Sequence, residues 1–586
     1  MEVTNMSQAL QLHAQFLKSE TQNQQNFSKL FTFSALSPSG DLNYARLLLN
    51  TNPSLNSYYY NTIIRAYSHS SNPTHHFQAL SLFLFMLQPN NNHHVPTPDN
   101  FTYPFVLKCC ARLKLTQQGK QLHCLITKLG FGSDLYIQNA LIHMYSEIRE
   151  FGVARELFDR MSYRDVVSWT SMIDGFVNSD LPIEAIELFE RMLEGGVDVN
   201  DATVISVLRA CADSGALSVG RKVHGIVKEK GIDLKGNVCT ALIDMYSKCG
   251  CLESARKVFD DVVDRDVFVW TAMISGLACH GMSKEAIDLF VEMEKCNVKP
   301  DERTVTVVLS ACRNAGLVRE GYMFFSDVQK RYGMKPTIQH FGCLVDLLAR
   351  GGCLEEAEDF INAMPMKPDA VLWRTLIWAC KVHADTERAE RLMKHLELQG
   401  MSAHDSGSYI LASNVYASVG KWCDKAEVRE LMNKKGLLKP PGSSRIEVDG
   451  VVHEFVMGDY NHPEAEKIFV KLDQMVDKLR KEGYNPKVSE VMLEMDDEEK
   501  AIQLLHHSEK LALSYGLIRT CPRSKIRIVK NLRSCKDCHE FMKLISKDHP
   551  ERGNHIHSLE ALWSDTVSNL QIIYLSQYRS FVPSAT

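Results

Sequence analysis

The 586-residue chain contains no run of about 18 or more apolar residues, so nothing in it reads as a membrane-spanning helix. Nor does it carry an excess of positive charge: 66 Lys and Arg face 71 Asp and Glu, a formal net charge of -5. Bulk attraction for nucleic acid is thereby excluded, and any nucleic-acid site has to rest on local basic residues and specific contacts. The N-terminus lacks the pattern of a secretory signal. Glu2 and Glu20 are acidic and no arginine precedes Arg46, so the segment does not read as a transit peptide either. Cysteine is plentiful at 17 residues, but most, including Cys110, Cys211, Cys312 and Cys380, fall inside apolar stripes of helical spacing. They read as small, reduced core residues, which favours a reducing compartment over a disulfide scaffold. With 45% hydrophobic and 23% charged residues, the composition is that of a soluble protein long enough for several domains.

What the chain does have is a repeat. Asn139-Ala-Leu-Ile-His-Met-Tyr returns as Thr240-Ala-Leu-Ile-Asp-Met-Tyr, and Asp165-Val-Val-Ser-Trp-Thr-Ser-Met-Ile as Asp266-Val-Phe-Val-Trp-Thr-Ala-Met-Ile. Val106-Leu-Lys-Cys-Cys returns at Val207 and again at Val308, always after 101 residues. A fixed period signals a repeat array. The period divides into Val166–Asn200, Asp201–Lys235 and Gly236–Asp266, of 35, 35 and 31 residues. Each piece reads as two helices. Met172, Ile173 and Phe176 give one apolar stripe; after a break near Pro182, Ala185, Ile186, Phe189, Met192 and Leu193 give another. Gly195-Gly196 ends the second helix. A lone hairpin cannot bury both faces, but stacked neighbours can, so an all-α solenoid follows.

The array starts almost at residue 1, where Gln11-Leu-His-Ala matches Gln121-Leu-His-Cys, and runs to residue 369. A polar insertion around Asn90–His94 lengthens one unit. Residues 370–438 continue as helical pairs with a weaker period. Lys439-Pro-Pro-Gly-Ser-Ser then breaks the helices, and Arg445 to Phe455 reads as a hairpin turning at Asp449-Gly450. Within 439–495 a long amphipathic helix follows from Pro463 to about Glu482; residues 496–548 mix helix and strand, including Lys525-Ile-Arg-Ile-Val-Lys. This is a small α/β domain, and 549–586 is a divergent tail.

Helical hairpins of this length also suit peptide-binding tetratricopeptide repeats. The residues favour another family. Units that end in Asp or Asn and continue Val-Val-Ser-Trp-Thr-x-Met-Ile, in triplets of 35, 35 or 36, and 31 or 32 residues, resemble plant pentatricopeptide-repeat proteins of the PLS subclass, over nearly the whole chain. The resemblance implies a right-handed solenoid in which the fifth and last residues of a P or S unit read one base of single-stranded RNA. Those pairs are Ser28/Asn56, Asn61/Asp99, Asn139/Asp165, Thr170/Asn200, Thr240/Asp266 and Thr271/Asp301. The family's code reads them as A, U, U, A, G and G. Short polar side chains suit the Watson–Crick edge of an unpaired base. A single Thr or Asp in such a slot also suits a helix cap or turn. The L-type units carry Pro104, Ile205 and Thr306 in the fifth slot and are expected to be spacers; Gly342/Asp369 has no clear base.

His507-Ser-Glu509 lies ahead of Cys535-Lys-Asp-Cys538. One imidazole and two thiolates fill three positions of a tetrahedral zinc and leave the fourth for water, and the glutamate can move its proton. A helix-borne cysteine pair without metal is the plain alternative. His507-Ser-Glu-Lys-Leu-Ala-Leu-Ser-Tyr-Gly-Leu and Asn531-Leu-Arg-Ser-Cys-Lys-Asp-Cys-His resemble the DYW-type cytidine deaminase domain, and Pro441-Gly442 its preceding box. That implies zinc on His507, Cys535 and Cys538, with Glu509 catalytic. The family continues with a further histidine, a Cys-x-Cys and a terminal Asp-Tyr-Trp that, with the residue matching His539, form a second zinc site. No cysteine follows Cys538, and only His555 and His557 offer nitrogen ligands there. One zinc at most is therefore expected, with weak deamination by this chain alone.

The sequence thus points to an organellar factor for C-to-U RNA editing, in mitochondrion or chloroplast, binding single-stranded transcripts and working with other editing proteins, without a membrane. Two other classes remain open: a non-catalytic RNA-binding specificity factor that recruits a deaminase, and a peptide-binding helical scaffold.

Overall fold

A computed structural model describes residues 4–18, 24–52, 55–88, 96–233, 236–398, 406–418, 420–437, 441–491, 495–521, 524–531, 534–548 and 570–574. His555 and His557 lie outside the described residues. The chain divides into two compact units, Met1–Val207 and Leu208–Thr586.

The first unit is a stack of helical hairpins. In the helix Val166–Asn178, Met172, Ile173 and Phe176 are buried, and in Pro182–Glu194 so are Ala185, Phe189 and Met192. These are the two stripes the spacing predicts. The second helix ends at Gly195, and Gly196 takes φ +67°, the left-handed conformation that costs glycine nothing. Trp169 meets Phe158 edge-on at 5.0 Å, and the Arg164 guanidinium lies 4.9 Å from the Phe158 ring.

The second unit repeats these devices 101 residues later. Trp270 meets Phe259 at 5.1 Å, beneath Arg265 at 4.2 Å. The Tyr145 hydroxyl bonded to His123 at 2.9 Å in the first unit returns as Tyr246 and His224 at 2.8 Å. Matching contacts at matching offsets explain the period: each preserves one joint of the stack. Hairpins continue through Trp422–Lys434, and among the described residues no strand precedes Ser443.

From there the chain builds a four-stranded sheet: β1 (Ser443–Val448), β2 (Val451–Val456), β3 (Ile526–Lys530) and β4 (Leu570–Tyr574), ordered β2-β1-β3-β4. Asp449 and Gly450 adopt φ +52° and +81°, so the expected two-residue turn sets Val448 opposite Val451. β1 pairs antiparallel with β3, and β3 parallel with β4. The hairpin from the 439–495 segment therefore shares a sheet with the 496–548 segment, and residues 570–574 of the expected divergent tail supply its edge. The helices Ala465–Lys481 and Ser508–Arg519 cover this sheet, burying Ile446, Phe455, Leu472, Leu511, Ile528 and Phe541 in one core.

This sheet sits on the repeats of the same unit. The helix Leu217–Glu229 follows Ala216, which has no side chain able to cap it. Glu447 of β1 takes that role, accepting from the backbone N–H of Leu217 at 2.9 Å and of Ser218 at 3.1 Å. A carboxylate there also complements the positive end of the helix dipole. Arg445 donates to the Asp213 carbonyl at 3.1 Å. A Cβ at Gly215 would fall 2.7 Å from Val529 of β3, so glycine permits the approach.

Candidate nucleic-acid interface and metal centre

In most units the last residue is the N-cap of the next unit's first helix; the helix Tyr103–Arg112 is capped instead by Thr102, and Asn237–Lys248 by Gly236. Asp165, Asp266 and Asp301 cap the helices beginning at Val166, Val267 and Glu302 through the backbone N–H of Ser168, Val269 and Thr304. A helix start leaves N–H groups unpaired, and an Asp or Asn side chain accepts one of them. Cap and candidate reader are thus the same residue.

The cap brings the last residue back to the fifth residue of its own unit. In the first compact unit, Asn61 donates to Asp99 at 2.8 Å, and Asn139 to Asp165 at 3.3 Å. Thr170 reaches Asn200 through Thr203: the two threonine hydroxyls are 2.6 Å apart, and Thr203 donates to Asn200 Oδ1 at 2.9 Å. In the second, Thr271 reaches Asp301 through Thr304, both contacts being 2.7 Å. Two pairs are not joined by a hydrogen bond. Thr240 donates to the Gly236 carbonyl of its own helix, 3.0 Å away. Ser28 bonds to Tyr59, and Asn56 caps its helix without a side-chain bond. Among the spacers, Pro104 and Ile205 present no polar side-chain atom, and Thr306 donates to the Glu302 carbonyl at 2.7 Å.

Burial alone would raise the carboxyl pKa of Asp99 and Asp165. Hydrogen bonds from Asn61, Ser57 and Thr102 to the first, and from Ser168 and Asn139 to the second, outweigh it and hold both below the usual carboxylate range. Asn139 is only 6% exposed, and its Oδ1 is a buried acceptor without a hydrogen-bond partner. Such an atom costs free energy until a donor arrives.

In the C-terminal domain, His507 precedes the helix Ser508–Arg519, and Cys535 precedes the helix Lys536–Asp548, with Cys538 in its first turn. Strand β3 ends five residues before Cys535 and delivers it to His507. The His507 Nδ1 lies 3.5 Å from Cys535 Sγ and 3.3 Å from Cys538 Sγ, and all three donor atoms lie within 4.8 Å of one another. Tetrahedral zinc bound by nitrogen and sulfur has ligand-to-ligand edges of about 3.5 Å, so this donor set fits the ion. Cys538 and its backbone N–H hydrogen-bond Cys535, which with His507 outweighs burial and brings the Cys535 thiol down to about 4. Burial and the neighbouring Cys535 push the Cys538 thiol well above its ordinary value.

Glu509 is buried two residues after His507. Its carboxylate pairs with Lys530, the last residue of β3, and accepts from the Ser508 hydroxyl at 3.2 Å. Burial brings the Lys530 amine down to about 8.

Sequence reasoning missed three supporting residues. Lys510 and Asp537 are both 0% exposed and form an ion pair of 2.6 Å. Tyr484 donates to the two Asp537 oxygens at 2.9 and 3.1 Å, and the Lys487 N–H donates at 3.0 Å. Lys510 also donates to the Leu504 carbonyl at 3.0 Å and lies 4.8 Å from the Phe541 ring. The available signal was opposite charge beside the ligands: a lysine after Glu509 and an aspartate inside the cysteine pair.

Residues 483–552 match the DYW family of nucleic acid deaminases and 383–447 the E motif. Residues 164–213 and 265–314 match the PPR repeat family, and 139–166, 238–267 and 340–367 the PPR repeat. A chloroplastic pentatricopeptide repeat-containing protein of Arabidopsis thaliana is 44% identical over 77% of this chain, which spans 61% of that relative. A second from the same plant, named chloroplastic/mitochondrial, is 40% identical over 93% of this chain and 86% of its own length. Among solved structures, maize pentatricopeptide repeat protein PPR10 superposes with a TM-score of 0.50 at 16% identity, covering 72% of this chain and 61% of that one. PPR10 in complex with an 18-nt psaJ RNA element gives 0.53 at 15%, covering 72% and 62%. At that identity the likeness establishes the repeat fold alone. On these grounds the chain belongs to the pentatricopeptide-repeat proteins, of the PLS type with E and DYW domains.

Proposed function

We propose that this chain binds single-stranded organellar RNA sequence-specifically and presents a cytidine 3′ of the bound bases for zinc-dependent conversion to uridine. The observation that carries the RNA reading is the contact between fifth and last residues, made directly or through a hydroxyl in four of the six expected pairs. An Asp in the last slot offers an acceptor, which suits the ring N–H of G or U. An Asn offers an amide donor, which suits the bare ring nitrogen of A or C. Asn139, with an unpaired acceptor beside Asp165, fits the uracil edge, which carries both donor and acceptor atoms. With a net charge of -5, affinity rests on these contacts rather than on bulk attraction.

His507, Cys535 and Cys538 would hold the zinc, which when bound supplies a water of lowered pKa. Deamination adds water at C4 of cytosine and releases ammonia. Glu509, two residues after His507, would take the water's proton and return it to the leaving amine. Lys530 fixes the Glu509 carboxylate, and the Lys510–Asp537 pair holds the two ligand-bearing helices together. Relatives named chloroplastic or mitochondrial support an organellar site of action, in which other editing proteins take part. No helix among the described residues is long and apolar enough to cross a membrane.

The absence of cysteine after Cys538 favours a second reading, a specificity factor that recruits a deaminase. Metal analysis and a cytidine-to-uridine assay on the purified full chain separate the two. The enzyme reading predicts one zinc and conversion abolished by Glu509→Ala; zinc-loaded protein that binds RNA without conversion supports the recruiter.

A further inference from the structure

Thr102, Ser168, Thr203 and Thr304 occupy one position: each is the third residue of a unit and follows a reader pair. All four are 0% exposed. Ser168, Thr203 and Thr304 donate their hydroxyls to Oδ1 of the preceding last residue, at 2.8 Å to Asp165, 2.9 Å to Asn200 and 2.7 Å to Asp301, and Thr102 shares its one proton between Asn61 and Asp99 Oδ1, the latter at 3.1 Å. Three also touch the fifth residue of that pair: Thr102 donates to Asn61 Oδ1 at 2.7 Å, Thr203 meets Thr170 at 2.6 Å, and Thr304 meets Thr271 at 2.7 Å. After the spacers the third residue is Ile137, Val238 or His340, without a hydroxyl. The hydroxyl therefore tracks base reading, not the helix cap, which Asp134 makes with the Ile137 backbone and no hydroxyl.

We propose that this third residue is a specificity-determining brace, an inference that rests on the fifth/last reader assignment. The bracing bonds fall on Oδ1 of the last residue in all four cases. They fix the torsion of that side chain, so the atom turned to the base is Oδ2 in Asp99, Asp165 and Asp301, and the amide nitrogen in Asn200. A backbone N–H also holds each Oδ1; the hydroxyl adds a second bond that narrows the torsion further, and without it the side chain turns about the one remaining bond. The base readout is then a three-residue device spanning two units. Two reader pairs depart from the pattern. Tyr59 follows Ser28/Asn56 and bonds Ser28 with its ring hydroxyl. Val269 follows Thr240/Asp266 and leaves Asp266 held by a backbone N–H alone, at 2.9 Å.

The test uses the full chain and synthetic unstructured RNAs with the core 5′-AUNUANGG-3′, each of the last two positions varied through all four bases. The brace predicts that Thr304→Val reduces the preference for G at the last position about five-fold, the worth of one hydrogen bond, while Thr304→Ser keeps it. Val269→Thr should raise the preference for G at the preceding position by a similar factor, and this variant adds a group rather than removing one from the fold. Thr271→Asn serves as the control on the reader assignment and should turn the last position from G towards U. If Thr271→Asn shifts the base while Thr304→Val and Val269→Thr leave selectivity unchanged, the brace is wrong and the reader assignment stands. If Thr271→Asn shifts nothing, the assignment fails and the brace falls with it.

Discussion

Lys510 and Asp537, 27 residues apart in sequence, meet at 2.6 Å in a site closed to solvent. One follows Glu509 and the other lies between the two cysteines, so the pair clasps the helix after His507 to the helix that carries Cys538. Both charges have further hydrogen bonds, which a buried pair needs if it is not to cost stability.

Removing one partner leaves the other charged and buried. Asp537→Asn or Lys510→Met is expected to destabilise the C-terminal domain by about 3–5 kcal/mol. Denaturant unfolding of the full chain, followed through this domain, measures it. The double variant Lys510→Met/Asp537→Leu should lose less than the two single losses combined.

The thiols predict a pH dependence. Cys535, near 4, is already thiolate at neutral pH, whereas Cys538 is held protonated. Zinc binding should then release one thiol proton rather than two, and affinity should rise about ten-fold per pH unit from pH 7 to 8. Competition with a chromophoric chelator reads the slope; a hundred-fold rise per unit would contradict it. For folding, a depressed thiol pKa contributes stability that is complete above the unfolded value of about 8.5 and declines as pH falls towards the folded value of about 4.

Glu447 caps a repeat helix that has no cap of its own. Glu447→Ala should cost about 0.5–2 kcal/mol, and Glu447→Gln, which keeps an acceptor but not the charge, less. Thermal unfolding of the two variants against the parent distinguishes them.

Much of this was legible in the sequence because it is local. Helical stripes such as Met172, Ile173 and Phe176 are buried as their spacing requires, and Asp449-Gly450 makes its turn from its own backbone preferences. The clustering of His507, Cys535 and Cys538 was legible because a zinc site restricts ligand type and spacing. For Asp165 cap and candidate reader do not compete, since one carboxylate both caps the next helix and accepts from Asn139; Asp266 caps its helix without a bond to Thr240. What escaped was non-local. Nothing in the sequence links Tyr484, Lys510 and Asp537 until folding joins them across 26 to 53 residues. Thr304 reads as an ordinary helix-start residue until Thr271 comes to lie 2.7 Å away. The edge strand at 570–574 follows a long stretch without the family's motifs, and its pairing with β3 carries no sequence signature.

The reader assignment is tested most directly by one exchange in a pair whose two side chains touch. Asn139→Thr with Asp165 intact changes a donor–acceptor amide into a hydroxyl and leaves the cap in place. Equilibrium binding of the full chain to four RNAs that differ only at the base facing this unit measures the result. The account predicts a change of preference from U to G, with a discrimination of about 1–3 kcal/mol. An unchanged preference for U, or equal binding to all four bases before and after the exchange, would contradict it.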